Sequence, residues 1–239
     1  LVAYASDQGW MGGQNGMWGM GDHFRPIGAH ELMMQIPLIF RQPGRIPAGC
    51  TSDLLVSNYD FLPSVLGYLG LGDRMPRAPR SPGRDFSAVL TGGMPGAWDN
   101  AVYYEMETVR AIRTDGWKYA ARFPNGPFEL YDMRKDPRER FNLFGQPDIE
   151  ARRAELAKRL DDFFARARRR DGANGIGKIT RDGRRIGNSV GNFHSFAAGR
   201  GGGGHVARAV AAELREFKLK LSGDLTRDRE RLALVHCQQ

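Results

Sequence analysis

Two cysteines, Cys50 and Cys237, are all that the 239 residues contain, and they lie far apart without metal-ligand spacing. That pattern supports neither a disulfide framework nor a zinc site. No run of about twenty apolar residues occurs, so no segment reads as a membrane-spanning helix. The chain has neither an initiator methionine nor a recognisable signal peptide; it opens on Leu1, inside an apparent core strand. It therefore reads as the C-terminal portion of a longer polypeptide, and localisation is left unassigned. Basic charge is in excess, formally +8, with arginines concentrated between Arg166 and Arg185. A nucleic-acid recognition motif with interleaved aromatics is missing, so the excess reads as a solvated basic tail and no nucleic-acid partner is expected.

A hydrophobic content of 41% with 10% aromatics is that of a globular protein, and the length suits one large domain or two small ones. The first stretch carries the most chemistry. Leu1-Val2-Ala3-Tyr4-Ala5 is an unbroken apolar run that stops at Ser6-Asp7-Gln8-Gly9. Such a run predicts a strand buried on both faces, as in a parallel sheet. In open α/β sheets, ligands sit beyond the carboxyl ends of the strands, which is where Asp7 and Gln8 stand. A carboxylate and an amide carbonyl are hard oxygen ligands suited to Ca²⁺ or Mg²⁺. Two oxygens do not complete a shell of roughly six to eight, so such a site needs ligands from elsewhere. The competing reading is a strand followed by a polar, glycine-rich surface loop.

Further along, Ala29 to Gln35 suits a short helix and Ile36-Pro37-Leu38-Ile39-Phe40 a second buried strand. Gln42 to Gly49 is punctuated by proline and glycine and reads as a loop. Ser57 with Asp60 three residues later forms a capping-box start. It leads into a helix with Leu62, Val65, Leu66 and Leu69 on one face and Pro63 in the first turn. Gly72 to Arg84 reads as a long surface connection. From Ala101 four short strand candidates follow, separated by Thr114-Asp115-Gly116 and Pro124-Asn125-Gly126-Pro127, and predict an antiparallel sheet. Asp132 to Asn142 is a charged loop. Ile149 to Arg168 is a helix with Leu156, Leu160, Phe163 and Phe164 on its apolar side. Gly172 to Gly204 predicts linker or disorder, and Val206, Val210, Leu214, Phe217 and Leu221 recur at helical spacing.

Together these stretches resemble the C-terminal part of type I sulfatases, in the alkaline phosphatase-like superfamily. Ser6-Asp7-Gln8-Gly9 is similar to their S-D-[HNQ]-G turn, and Gly16-Met17-Trp18-Gly19 to the tract that follows it. Ile36-Pro37-Leu38-Ile39, Pro43-Gly44, Asp60-Phe61-Leu62-Pro63-Ser64 and Leu69-Gly70-Leu71 resemble later blocks. Val109 to Thr114, Trp117-Lys118-Tyr119, Glu129-Leu130-Tyr131-Asp132, Asp136-Pro137, Glu139 and Asn142-Leu143 resemble the C-terminal subdomain. The order and spacing of these motifs cover residues 1 to about 165; the remainder resembles no family.

The resemblance implies an α/β fold: the C-terminal part of an alkaline phosphatase-like sandwich, plus a small antiparallel-sheet subdomain with a C-terminal helix. It implies a division into residues 1–98, 99–169 and a basic Gly/Arg-rich extension at 170–239. The implied activity is sulfuric ester hydrolysis of a small-molecule or sugar sulfate, through a divalent metal, Ca²⁺ or alternatively Mg²⁺, and a formylglycine nucleophile. Asp7 and Gln8 would be metal ligands. Two departures stand out. The family's C/S-x-P-x-R nucleophile motif is absent, since Ser81-Pro82-Gly83-Arg84 has the wrong spacing. The family's active-site lysine position holds Met20, which neither donates a proton nor carries charge. His23 is then the candidate acid and Arg25 the candidate sulfate-binding fork, against the reading that both merely line the loop. The missing motif and Met20 also keep open a non-catalytic sulfatase-like binding module. A phosphatase or phosphonate-type hydrolase of the same superfamily is the third reading. Glu129, Tyr131, Asp132 and Asp136 read as subdomain architecture rather than site.

Overall fold

Backbone pairing gathers the apolar runs into two four-stranded sheets. The computed structural model describes residues 1–21, 23–76, 81–170, 178–179, 185–186 and 233–238. In chain order, β1 (Val2–Ala5) leads to a hairpin of β2 (Met11–Gly12) and β3 (Trp18–Gly19). A single helical turn α1 (Glu31–Met34) runs into β4 (Gln35–Arg41), followed by β5 (Thr51–Ser57), α2 (Asn58–Tyr68) and α3 (Ser87–Leu90). Then come β6 (Ala101–Met106), β7 (Val109–Thr114), β8 (Trp117–Arg122), β9 (Glu129–Asp132) and the long α4 (Glu150–Arg170). Two short pieces, β10 (Lys178–Ile179) and β11 (Arg185–Ile186), pair with each other, and β12 (Ala233–Gln238) is last.

The first sheet has the order β1-β4-β12-β5. Both β1 and β12 run antiparallel to β4, and β12 runs parallel to β5, so β1, β12 and β5 point the same way. Their carboxyl ends therefore share one sheet edge. Ile36, Leu38 and Phe40 alternate inward from β4, and Phe40 packs edge-on to Phe86 with ring centroids 6.1 Å apart. This alternation is the period-2 pattern of a half-buried strand.

Three expectations are corrected here. β1 is not buried on both faces within a parallel sheet. It is an antiparallel edge strand, with Val2 46% and Tyr4 63% exposed. β5 was not anticipated, because its Thr51-Ser52-Asp53 start breaks the apolar run that sequence reading looks for. The buried face of α2 also differs. The capping box is present, with Asp60 Oδ2 accepting the Ser57 N–H at 2.9 Å. However, the buried positions are Asp60, Ser64, Leu66 and Tyr68, while Leu62 and Leu69 are exposed. Ser64 sits inside because its hydroxyl donates to Asp60 O at 2.6 Å and accepts the Phe86 N–H at 2.8 Å, which docks α3. The early helix start puts Pro63 in the interior rather than the first turn. Pro63 provides no N–H for the carbonyl four residues back. The Gly83 backbone lies against that Tyr59 carbonyl so closely that a Cβ there would stand 1.9 Å from it.

The second sheet, β6-β7-β8-β9, is antiparallel throughout, as its turns predict. Leu156, Leu160 and Phe164 of α4 pack on Ile112, Tyr119 and Leu130, and Phe163 stacks on Tyr103 at 3.9 Å. At the end of β9 and in the loop after it, Asp132 accepts the backbone N–H groups of Arg134 and Lys135, and Asp136 those of Arg140 and Phe141. The two sheets meet at Arg84. Its guanidinium pairs with Asp60 at 2.9 Å, donates to Asp99 O at 2.6 Å and lies 3.9 Å from the Trp98 ring centre. The architecture is mixed α/β, with the antiparallel second sheet and its C-terminal helix as expected. The linker expected at Gly172 to Gly204 falls largely outside the described residues, as does the helix expected over Val206 to Leu221.

Candidate functional site

The turn after β1 is built by short local contacts. Ser6 Oγ donates to Gln8 O at 2.8 Å, bending the chain so that Asp7 faces out at the sheet edge. From the end of β5, at the far edge of the sheet, the Asn58 amide reaches Asp7 O at 3.5 Å, a long contact across the carboxyl end that these strands share. Gly9 N–H donates to Met33 O at 2.9 Å and Trp10 N–H to Leu32 O at 3.0 Å, so α1 forms the floor of the turn. The approach demands glycine: a Cβ at Gly9 would lie 2.1 Å from Leu32 O.

The hairpin between β2 and β3 returns the chain to the same place. Gln8 Nε2 donates to the Met20 sulfur, so the position where a lysine was expected does border the candidate ligand. With its N–H₂ turned to sulfur, the Gln8 amide leaves its oxygen as a donor atom for a cation. Asp7 and Gln8 are brought to one turn and their oxygen chemistry fits part of a Ca²⁺ or Mg²⁺ shell. Among the described residues, no group of three or more His, Cys, Asp or Glu side chains is placed to hold a metal alone. His23 and Arg25 lie on the next, exposed turn, where Arg25 donates to Phe24 O at 2.7 Å. Asp22 lies outside the described residues. Cys50 is exposed and is a free thiol.

Sequence reading missed the support beneath this turn. Lys118, 1% exposed, lies 2.7 Å from Glu139 and 3.5 Å from Glu31, and Arg113 meets Glu31 at 2.9 Å. Glu139 also accepts the Glu31 N–H at 2.6 Å and stands 3.4 Å from His30 Nδ1. Burial alone would push the Glu139 carboxyl up. The Lys118 charge, the hydrogen bonds from His30 and Lys118, and the Glu31 N–H outweigh it and hold the group at about 2. These charges clamp α1, and α1 holds Gly9 and Trp10. The available signal was charge inside an otherwise apolar strand: β8 is nearly all buried, yet carries Lys118 and, at its end, Arg122.

A cavity of about 200 Å³ opens elsewhere, between the start of α2, β6 and α4, lined by Ser57, Asp60, Arg84, Tyr103, Phe163 and Arg166. Its buried carboxylate, Asp60, is already taken by Arg84. Among the described residues, no helix is long and apolar enough to cross a membrane.

Comparison with known proteins identifies the family of the chain. The family model described as N-sulphoglucosamine sulphohydrolase, C-terminal, matches residues 24–166. An N-acetylglucosamine-6-O-sulfatase of Bacteroides thetaiotaomicron is 32% identical over 174 residues, covering 68% of this chain and 29% of its own. A solved enzyme in complex with its substrate D-glucosamine-2-N,6-O-disulfate superposes with a TM-score of 0.59 at 28% identity, over 72% of this chain and 36% of that one. The phosphonate monoester hydrolase of Agrobacterium radiobacter superposes with a TM-score of 0.59 at 25% identity, over 70% and 35%. The chain thus spans about a third of the length of these proteins.

Proposed function

This chain belongs to the type I sulfatase family, in the part covered by the N-sulphoglucosamine sulphohydrolase C-terminal model, and from that premise we propose that it is the C-terminal portion of a sulfuric ester hydrolase acting on a sugar or other small-molecule sulfate. The observation that carries the reading is the Asp7–Gln8 turn at the shared carboxyl edge of β1 and β5, with position 20 closed onto Gln8. Asp7 Oδ and Gln8 Oε1 would hold a divalent cation, Ca²⁺ in our reading with Mg²⁺ as the alternative. Such a cation, when bound, polarises sulfate oxygens as a Lewis acid. The formylglycine nucleophile and the remaining ligands lie outside these 239 residues, since the C/S-x-P-x-R pattern does not occur in them.

The roles left to this chain follow from its side chains. α1 and the ion cluster fix the turn, so Asp7 and Gln8 are held before substrate arrives. Arg25 is the fork that pairs with sulfate oxygens, and His23 the acid that protonates the departing alcohol oxygen in place of the lysine. The decisive experiment uses the longer enzyme that contains both this chain and the nucleophile motif. There, Asp7→Ala is expected to abolish Ca²⁺-dependent hydrolysis of a glucosamine sulfate; full retained activity would overturn the assignment. The 239-residue chain alone is expected to release no sulfate above background. One feature favours a second reading, a non-catalytic binding module: Met20 puts a thioether against Gln8 where the resemblance calls for a cation. A sequence upstream of Leu1 without C/S-x-P-x-R would select it. A phosphonate-type hydrolase is the third, and comparing sulfate with phosphonate esters separates it.

A further inference from the structure

The hairpin that closes the candidate site presents two tryptophans to solvent. Trp10 is 58% and Trp18 71% exposed. The register pairs Met11 with Gly19 and Gly12 with Trp18, and Met11 and Gly19 are buried. Because side chains alternate along a strand, Trp10, Gly12 and Trp18 share the opposite, outward face. The indoles are also positioned rather than loose. Gly13 adopts φ +99, and a Cβ there would stand 3.1 Å from the Trp18 ring, so the ring lies over bare backbone. A Cβ at Gly12 would likewise stand 3.9 Å from the Trp10 ring. The base of the hairpin is the Gln8–Met20 contact, so each indole stands two residues from one side of the candidate site. At the tip, Asn15 Nδ2 donates to Arg138 O at 3.3 Å, which anchors the hairpin to the loop carrying Arg140 and the exposed Phe141.

Resting on the sulfate-ester reading above, we propose that Trp10 and Trp18 form a stacking platform for the apolar C–H face of a sugar ring whose sulfate sits at the Asp7–Gln8 turn. Aromatic rings exposed at the mouth of a polar site suit such a ligand: each indole offers a flat apolar face, while its edge stays wet. A sugar ring has the same division, an apolar face and polar rim. A small aryl sulfate would reach the turn without covering both indoles. The platform therefore selects saccharide sulfates by ring contact rather than by charge.

The test is saturation-transfer NMR on the 239-residue chain with D-glucosamine 6-sulfate and D-glucosamine as probes. Ring C–H protons of both sugars are expected to receive saturation from the protein. Trp10→Ala and Trp18→Ala should each weaken binding roughly three- to tenfold, and Trp18→Phe should keep most of it. Circular dichroism checks folding, which exposed side chains should not disturb. Absence of sugar contact, or unchanged contact in the double alanine variant, overturns the platform. In the longer enzyme, a lowered melting temperature for Trp18→Ala with unchanged KM would mark the indoles as a packing surface, and likewise overturns it. Sugar contact combined with a longer enzyme that hydrolyses no sulfate ester would instead leave the platform and remove the sulfate-ester reading.

Discussion

Replacing Lys118 with methionine tests how firmly the ion cluster holds the floor of the site. In the native cluster, Lys118 lies between two carboxylates, 2.7 Å from Glu139 and 3.5 Å from Glu31, and is 1% exposed. Methionine fills similar volume but leaves Glu139, itself 3% exposed, facing Glu31 without the intervening cation. Breaking a buried pair by removing one partner costs about 3–5 kcal/mol. For a folded body of this size, each kcal/mol moves the melting temperature by about 2–4 °C, so a fall of about 6–20 °C is expected. The pH dependence follows from Glu139, held at about 2 in the native protein. A depressed carboxylate contributes stability that is fully present above the unfolded value near 4.3 and lost as pH falls through about 2. Without Lys118 the main lowering influence is gone, burial prevails and the folded value rises. The variant then loses stability as pH rises, so its deficit should be largest at pH 7 and shrink towards pH 4. Glu139→Gln in the Lys118→Met background should recover most of the deficit, because Gln keeps an acceptor for the Glu31 N–H. Thermal melts by far-UV circular dichroism at pH 4, 5.5 and 7 measure all three. A deficit under about 1 kcal/mol, or one that does not change with pH, would refute the reasoning.

Other outcomes are equally open to measurement. Phe86→Ala should cost about 3–5 kcal/mol in urea unfolding, because the side chain is fully buried against Phe40 and cannot be replaced by collapse of a flexible surface. Ser57→Ala removes one half of the capping box on α2 and should cost about 1 kcal/mol by the same assay. Gly9→Ala should displace the turn from α1 and, in the longer enzyme, lower kcat more than Phe86-type core changes of equal stability cost; equal effects would show that the turn tolerates the shift. His23→Ala should slow an alkyl or sugar sulfate far more than nitrophenyl sulfate, within the roughly 10²–10⁴-fold range of general acid catalysis. Equal losses on both substrates would remove the acid role.

What could be read from the chain was what local chemistry decides. The four strands of the second sheet are announced by Thr114-Asp115-Gly116 and Pro124-Asn125-Gly126-Pro127, and α4 by Leu156, Leu160 and Phe164. The capping box marked α2, but its burial was misread, because Leu62 and Leu69 are apolar while Ser64 and Asp60 are not. Those two are inside for reasons that involve Arg84 and Phe86, twenty or more residues away. β1 was misjudged for a similar reason: an apolar run reports what a strand can bury against, not whether a neighbour lies on each side. At the candidate site, the turn that carries Asp7 and Gln8 was legible from its place after a strand. Lys118, Glu139 and Glu31 were not, since their pairing is a matter of tertiary approach between β8, the loop after β9 and α1. The place of β12 was not legible either, because its partners β4 and β5 lie far earlier in the chain and do not pair with each other.

That last strand has a consequence for how the molecule is made. β4 and β5 never pair with each other; Ala233–Gln238 stands between them and holds one antiparallel and the other parallel. Both neighbours lie within residues 35–57, so during synthesis they emerge from the ribosome long before the strand that unites them. Contacts of such large sequence separation form slowly, because loop closure must precede any gain from pairing. The second sheet and α4, whose contacts are local, can assemble meanwhile. Folding should thus be biphasic, with the helix-covered sheet protected early in pulsed hydrogen exchange and the backbone amides of β4 protected last.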